Sequence, residues 1–142
     1  MQSYRHSFEL NELPPSLNKY TRLHFQERNR IFKKLKNLVW LNVRENLPLF
    51  ALTKYKITCT RHTCSPLDPF DNLPGSFKVI IDGLVEAKVI EDDKWTMADQ
   101  ITARQVKVSK KKDQKIVIEI EDCEHSRMAT KEELDQLKVR HV

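Results

Sequence analysis

The chain has 142 residues, which is enough for one ordinary hydrophobic core and too short for two comfortable domains. Its lysines and arginines outnumber its aspartates and glutamates by 25 to 20, and the resulting charge of +5 favours a polyanionic partner. With only two glycines the chain cannot form a Gly-rich phosphate loop, which excludes a nucleotide cofactor. It also contains no apolar segment of signal-peptide length and none of ~20 residues, which predicts a cytoplasmic protein with no membrane partner.

The first third of the chain predicts a strand and a long helix. Apolar and polar residues alternate over 3–10, which is typical of a strand, and two prolines break the chain at 11–18. Apolar residues then recur at helical spacing from about 23 to 45, and Pro48 ends the pattern. The cations of this helix form either a solvated face or a phosphate-contacting surface. Those we assign to DNA binding are Arg28, Arg30 and Lys33.

A second strand is predicted over 51–60, because its residues alternate between a basic face and an apolar face. It leads directly into a Pro-containing loop that carries Asp68 and Asp71. A strand end is a rigid place from which to deliver a catalytic carboxylate. The cations assigned to DNA binding in this part of the chain are Lys54, Lys56 and Arg61.

Acidic residues flank a second predicted helix, which runs from Phe77 to about Ala87 with Ser76 as its N-cap. Asp68 and Asp71 precede the helix, and residues 91–93 (Glu-Asp-Asp) follow it. The helix rises ~15 Å, and residues 88–93 can travel back ~20 Å if Val89 and Ile90 form a short return strand. The acids can therefore meet, and such an all-oxygen ligand set selects Mg²⁺, Mn²⁺ or Ca²⁺.

The last third predicts two further strands, over 101–109 and 115–121, joined by a lysine-rich turn. Ala103 and Val106 break the alternation and indicate a bulge. Thr130 and Glu133 form a capping-box pattern, which predicts a short surface helix from 130 to 139. The predicted fold is α+β, with a mixed sheet of four to five strands packed against two main helices, plus the short C-terminal helix.

Several of these residues together resemble the RusA family of Holliday-junction resolvases. The matching pieces are Asp71-Asn72, Lys78 followed by Asp82, Gly83-Leu84 and Asp92-Asp93. The N-terminal strand leading into 13–18, the long helix and the later strands extend the resemblance over roughly residues 4–121. It implies a RusA-like nuclease domain over 1–122, followed by a C-terminal tail over 123–142.

The resemblance implies Mg²⁺-dependent hydrolysis of phosphodiesters by a homodimer that nicks four-way DNA junctions, and we expect Mn²⁺ to substitute for Mg²⁺. Asp71 and Asp93 match the family's metal-binding aspartates, Lys78 matches its site lysine, and Asp68 or Asp92 would complete the metal site. The family usually separates its first two aspartates by one residue, whereas here Pro69 and Phe70 separate Asp68 from Asp71.

Two other functions remain open from the sequence. In the first, the displaced Asp68 leaves the metal site incomplete, and the protein is a catalytically inactive DNA-binding dimer. In the second, a small protein with an acidic site acts on something other than DNA, and it would show no salt-dependent DNA binding.

Overall fold

The computed structural model describes residues 3–124 and 127–139. It contains a four-stranded mixed sheet in the order β1-β4-β2-β3, in which only β2 and β3 are parallel. The strands are β1 (Arg5–Leu10), β2 (Tyr55–Thr63), β3 (Ala98–Lys107) and β4 (Lys115–Asp122). The helices are α1 (Leu17–Arg22), α2 (Phe25–Val43), α3 (Asn72–Ser76), α4 (Lys78–Glu86) and α5 (Lys131–Val139). The predicted α+β class is confirmed.

The core lies between one face of the sheet and the pair α2 and α4. Along β2 the side chains alternate between buried and more exposed, as the sequence pattern predicts, with Ile57 and Cys59 each 1% exposed. Val39 of α2 and Leu84 of α4 are fully buried. The two helices approach closely at Gly83, where an added Cβ would lie 3.3 Å from Val39. In the part of the chain that the structure describes, no helix is long and apolar enough to cross a bilayer.

The loop that carries Asp68 and Asp71 joins the helix predicted over 77–87 in a way that differs from the prediction. Helical turns begin at Asn72, and Phe77 separates α3 from α4, so the helix does not start after Ser76. Ser76 is buried, and its hydroxyl donates to the Leu73 carbonyl at 2.7 Å rather than capping a helix. Helical structure starts earlier because Asp68, upstream of α3, accepts hydrogen bonds from the free backbone N–H groups there.

The last two strands, predicted to be joined by a lysine-rich turn, do not pair with each other. β3 and β4 lie on opposite sides of β2, so the segment between them crosses the end of β2. The backbone N–H of Val108 donates to Thr63, and that of Cys64 donates to the Gln114 side chain, which ties this crossing down. The register shift lies opposite Tyr55 and Lys56, near the start of β3, rather than at Ala103 and Val106.

Gly75 lies where α3 packs closely against α1. A Cβ at Gly75 would lie 2.8 Å from the Leu17 Cβ, closer than side chains tolerate. We expect Gly75→Ala to lower the free energy of unfolding by about 1–2 kcal/mol, because the clash exceeds the gain in helix propensity. Urea denaturation measures the change. Gly83→Ala is the comparison variant, because its nearest contact of 3.3 Å requires Val39 to give by only a few tenths of an ångström; a loss of stability at Gly75 no larger than that at Gly83 would contradict the expectation.

The C-terminal helix carries the predicted capping box. The Glu133 side chain accepts from the Thr130 N–H at 3.0 Å, and the Thr130 hydroxyl accepts from the Glu133 N–H at 3.3 Å. Leu134 is 8% exposed and joins the core. The predicted tail over 123–142 is described only at 123–124 and 127–139.

A pH-dependent contribution to stability is expected from Glu133. The Arg127 guanidinium donates to both carboxylate oxygens at 2.8 and 2.9 Å, and with the Thr130 N–H it lowers the pKa of Glu133 to about 2. A depressed pKa stabilises the fold above the unfolded value near 4.5, and this is lost as the pH falls toward 2. Glu133→Gln should therefore lower the melting temperature at pH 7, and the difference from wild type should shrink toward pH 2. Thermal melts across this range test it, with Glu132→Gln as the control, and a difference that is constant with pH would refute it.

Candidate functional site

Lys78 is the centre of the candidate site. It is the first residue of α4, and its ammonium group donates to Asp82, one turn later, at 2.7 Å. The same ammonium also contacts the Asp93 carboxylate, which lies fifteen residues further along the chain. The i,i+4 pair with Asp82, which alone would be an ordinary surface salt bridge, is therefore present together with a longer-range contact.

Asp93 reaches Lys78 because the chain reverses sharply after α4. Lys88 adopts a left-handed conformation with φ of 63°, and the Val89 N–H donates to Leu84 to close the turn. Ile90 then pairs in parallel with Leu52, as a one-residue bridge. The predicted return of Val89 and Ile90 therefore takes place through Leu52, and it carries the following acids toward the start of α4.

A side chain of β2 fixes the position of Asp92 and Asp93, the two aspartates that follow α4. The Tyr55 hydroxyl donates to the Asp92 carbonyl at 2.6 Å, and the Asp92 side chain accepts from the Asp93 N–H at 2.8 Å. Tyr55 is not among the predicted site residues, because its alternation with Ile57 along β2 marks it only as a core residue. Its ring is buried, and the hydroxyl at its tip orients the backbone that carries Asp93.

The charges at this site reinforce one another. Hydrogen bonding from the Lys78 ammonium lowers the pKa of Asp93 below its ordinary value. Burial alone would lower the pKa of Lys78, but its hydrogen bonds to Asp82 and Asp93 outweigh burial and raise it. Burial, together with the nearby Asp93 and Asp92, raises the pKa of Tyr55 to about 12. The Lys78 ammonium therefore lies between the side chains of Asp82 and Asp93.

Asp68 and Asp71 form a separate acidic group at the start of α3. The Asp68 carboxylate accepts from the Asp71 N–H at 2.9 Å and from the Asn72 side chain, and these bonds lower its pKa. The Asp71 side chain is exposed and makes no capping hydrogen bond. Asn72 in turn accepts from the Asn18 N–H at 2.9 Å, which joins this loop to α1.

The two groups of acids, Asp68 with Asp71 and Asp92 with Asp93, are anchored at different ends of the parallel strands β2 and β3. Leu67, next to Asp68, exchanges hydrogen bonds with the Gln105 side chain near the end of β3, whereas Asp92 is held by Tyr55 at the start of β2. Within 3–124 and 127–139, no three His, Cys, Asp or Glu side chains are grouped so as to hold a metal ion. The donors are all oxygens, so their chemistry fits Mg²⁺, but the structure gathers them as Asp68 with Asp71 and Asp82 with Asp93.

The six cations assigned to DNA binding do not lie on one surface. Arg30 and Lys33 are exposed on α2, while Lys56 is exposed on the sheet strand β2 among residues of the uncovered face. Arg30 pairs with Glu27 at 2.5 Å, and Lys56 lies 3.9 Å from Asp99. A phosphate would therefore compete with these carboxylates.

Arg28, Lys54 and Arg61 are less accessible. Arg28 donates to the Leu23 carbonyl at 3.3 Å, and Lys54 is half-buried. Arg61 is only 6% exposed and donates to the Pro14 carbonyl at 2.6 Å, which ties β2 to the loop before α1. For Arg61 to contact a phosphate, its guanidinium would have to leave that carbonyl, so its placement favours a structural role.

Comparison with known proteins adds no family to this description. No protein-family profile matches the chain, and no curated protein matches its sequence. The resemblance to the RusA family therefore depends on the motif residues and on the order of the predicted elements.

Proposed function

We propose that the protein is a Mg²⁺-dependent, structure-selective DNA endonuclease of RusA type, resolving Holliday junctions by phosphodiester hydrolysis during recombination and repair. The observation that carries the proposal is the contact of Lys78 with Asp82 and Asp93, which brings together motif residues of α4 and of the turn that follows it. A salt bridge alone would be an ordinary surface feature. The reversal of the chain that delivers a second motif acid to the same lysine supports a shared site.

The motif match assigns the ion to Asp93 and Asp71, with Asp92 or Asp68 contributing. Because the structure anchors these acids in two separate groups, the loop that carries Asp71 would have to approach Asp93 when the ion binds. When bound, Mg²⁺ would activate a water molecule and offset the charge of the phosphate. Lys78 carries a positive charge that stabilises the oxyanion developing at phosphorus or on the leaving oxygen. Asp82 keeps the Lys78 ammonium oriented toward the Asp93 side of α4. Tyr55 holds the backbone of Asp92 in place through its hydroxyl.

The experiment that tests this function is cleavage of a synthetic four-way junction by the full chain, with Mg²⁺, with Mn²⁺ and with a chelator. We expect paired nicks in opposite strands with either metal and none with the chelator. A linear duplex of the same sequence is the substrate control, and it should be cut far more slowly. Absence of cleavage under all metal conditions, by protein that is folded, would refute an endonuclease.

One observation favours the second candidate, a catalytically inactive DNA-binding dimer. Asp68 accepts hydrogen bonds from its own loop, at 2.9 Å from the Asp71 N–H, so its oxygens are committed to building α3. If the metal site is incomplete for that reason, the protein should bind junction DNA without cutting it. Salt-dependent gel-shift binding together with sedimentation measurements of the oligomer separates this function from a protein that does not bind DNA.

A further inference from the structure

Trp95 stands out from the surface two residues after Asp93. Its side chain is 87% exposed, the highest value among the exposed large hydrophobic residues of the described chain. A tryptophan normally buries most of its large apolar surface, so an indole left in solvent beside a candidate site needs a reason. Phe70, which lies between Asp68 and Asp71, is exposed to a similar degree at 86%.

The exposure of Trp95 is imposed by an ordered turn. The Lys94 carbonyl accepts from the N–H groups of Met97 and Ala98 at 2.9 and 3.1 Å, which closes the turn around Trp95. Tyr55 holds both sides of it, since its N–H donates to the Met97 carbonyl at 3.0 Å and its hydroxyl donates to Asp92. These bonds therefore fix the backbone that carries the exposed indole.

The surroundings of Trp95 do not resemble the centre of a protein–protein interface. Most of its sequence neighbours are charged or polar, and the centres of interfaces are depleted in charged residues. The charged and polar neighbours are Asp92, Asp93, Lys94, Thr96, Asp99 and Gln100, while Met97 and Ala98 are partly buried against the core. The acids next to Trp95 would repel a phosphate placed directly on the ring, so the indole fits a flat, uncharged surface whose attached negative charge lies at the Lys78 ammonium instead. A nucleotide with an unpaired base has both properties.

We propose that Trp95 stacks on an unpaired base of the DNA strand whose phosphate approaches Lys78. This inference depends on the proposed function and deepens it, since it assigns recognition of unstacked bases to one side chain. Bases inside a continuous duplex are already stacked on their neighbours and offer no free face. A branch point or bulge exposes such faces, so stacking on Trp95 would favour distorted DNA over paired DNA.

Fluorescence tests the contact directly, because the chain has only two tryptophans, Trp40 and Trp95. The probe is a duplex with four unpaired nucleotides at its centre, titrated in a chelator to prevent cleavage, against a fully paired duplex of the same length. The difference between wild type and Trp95→Phe reports the Trp95 signal while Trp40 stays intact. We expect this signal to be quenched by the bulged duplex and nearly unchanged by the paired one.

Affinity provides the second measurement. Trp95→Ala should weaken binding of the bulged duplex by about 5- to 150-fold and leave the paired duplex within about twofold, since stacking on one base is lost. Trp95→Phe should retain part of the affinity, because it keeps an aromatic ring. Phe50→Ala, which removes another ring that is 73% exposed but lies outside the site, is the matched control and should change neither affinity.

The outcomes separate this inference from the function on which it depends. If the protein binds and cuts junctions but the Trp95 signal does not respond, or Trp95→Ala binds bulged DNA as wild type does, the stacking role is wrong and the endonuclease stands. If no DNA binds at all, both are overturned. Equal loss of affinity for paired and bulged DNA would also reject the inference, because it would indicate a general contact rather than recognition of a free base.

Discussion

Replacing Asp93 by asparagine should reduce junction cleavage by at least about 100-fold while the fold and DNA binding are preserved. Asparagine keeps the size of the side chain but removes the charge that faces Lys78 and that would neutralise a divalent ion. Because a negative charge near the phosphate is lost, affinity for junction DNA in a chelator should stay the same or rise. Cleavage rates at saturating Mg²⁺, together with gel-shift affinity, measure the two effects.

Asp113→Asn is the matched control, since Asp113 is an exposed aspartate of the turn between β3 and β4. It should cleave at the wild-type rate. Full activity of Asp93→Asn would remove Asp93 from the site and with it the geometric basis of the proposed endonuclease. Loss of activity accompanied by a lowered melting temperature would instead assign Asp93 to folding, so thermal melts belong to the same experiment.

Replacing Lys78 by methionine should reduce cleavage by about 10²- to 10³-fold, the range observed when one preorganised electrostatic group is removed from an active site. Methionine retains the apolar stem of lysine, so the loss reflects the ammonium group. Asp82 and Asp93 then face each other without a cation between them, and we expect Mn²⁺ to bind the DNA-free variant more tightly than wild type. Single-turnover cleavage and Mn²⁺ titration monitored by electron paramagnetic resonance give both quantities.

Lys36→Met provides the control for Lys78→Met. Lys36 forms a comparable ion pair with Glu86 at 2.8 Å, between α2 and the end of α4, away from the Asp93 turn. Its replacement should leave both cleavage and Mn²⁺ affinity unchanged. Equal losses in the two variants would mean that general positive charge on this face matters, and Lys78 would have no specific catalytic role.

The local elements were predictable because they follow from local patterns. The alternation in β2, the apolar stripe of α2 and the capping box at Thr130 each need only neighbouring side chains to be recognised, and all three are present in the structure. Lys78 and its i,i+4 partner Asp82 could be recognised from the sequence in the same way, since both lie on one helix. Helix α1 was missed, although Ser16 accepts from the Lys19 N–H as its N-cap, because its six residues carry little periodic signal.

The amino-acid sequence by itself determined the class of the fold, the buried side of each main element and the positions of the acids along the chain. The tertiary structure alone decided that β3 pairs in parallel with β2, that Asp93 reaches Lys78 and that Arg61 points inward to Pro14. Local patterns depend on residues a few positions apart, where chain geometry leaves little choice. Contacts over fifteen or more residues depend on which loops close and which faces are already buried, and many such pairings satisfy the same pattern of apolar residues.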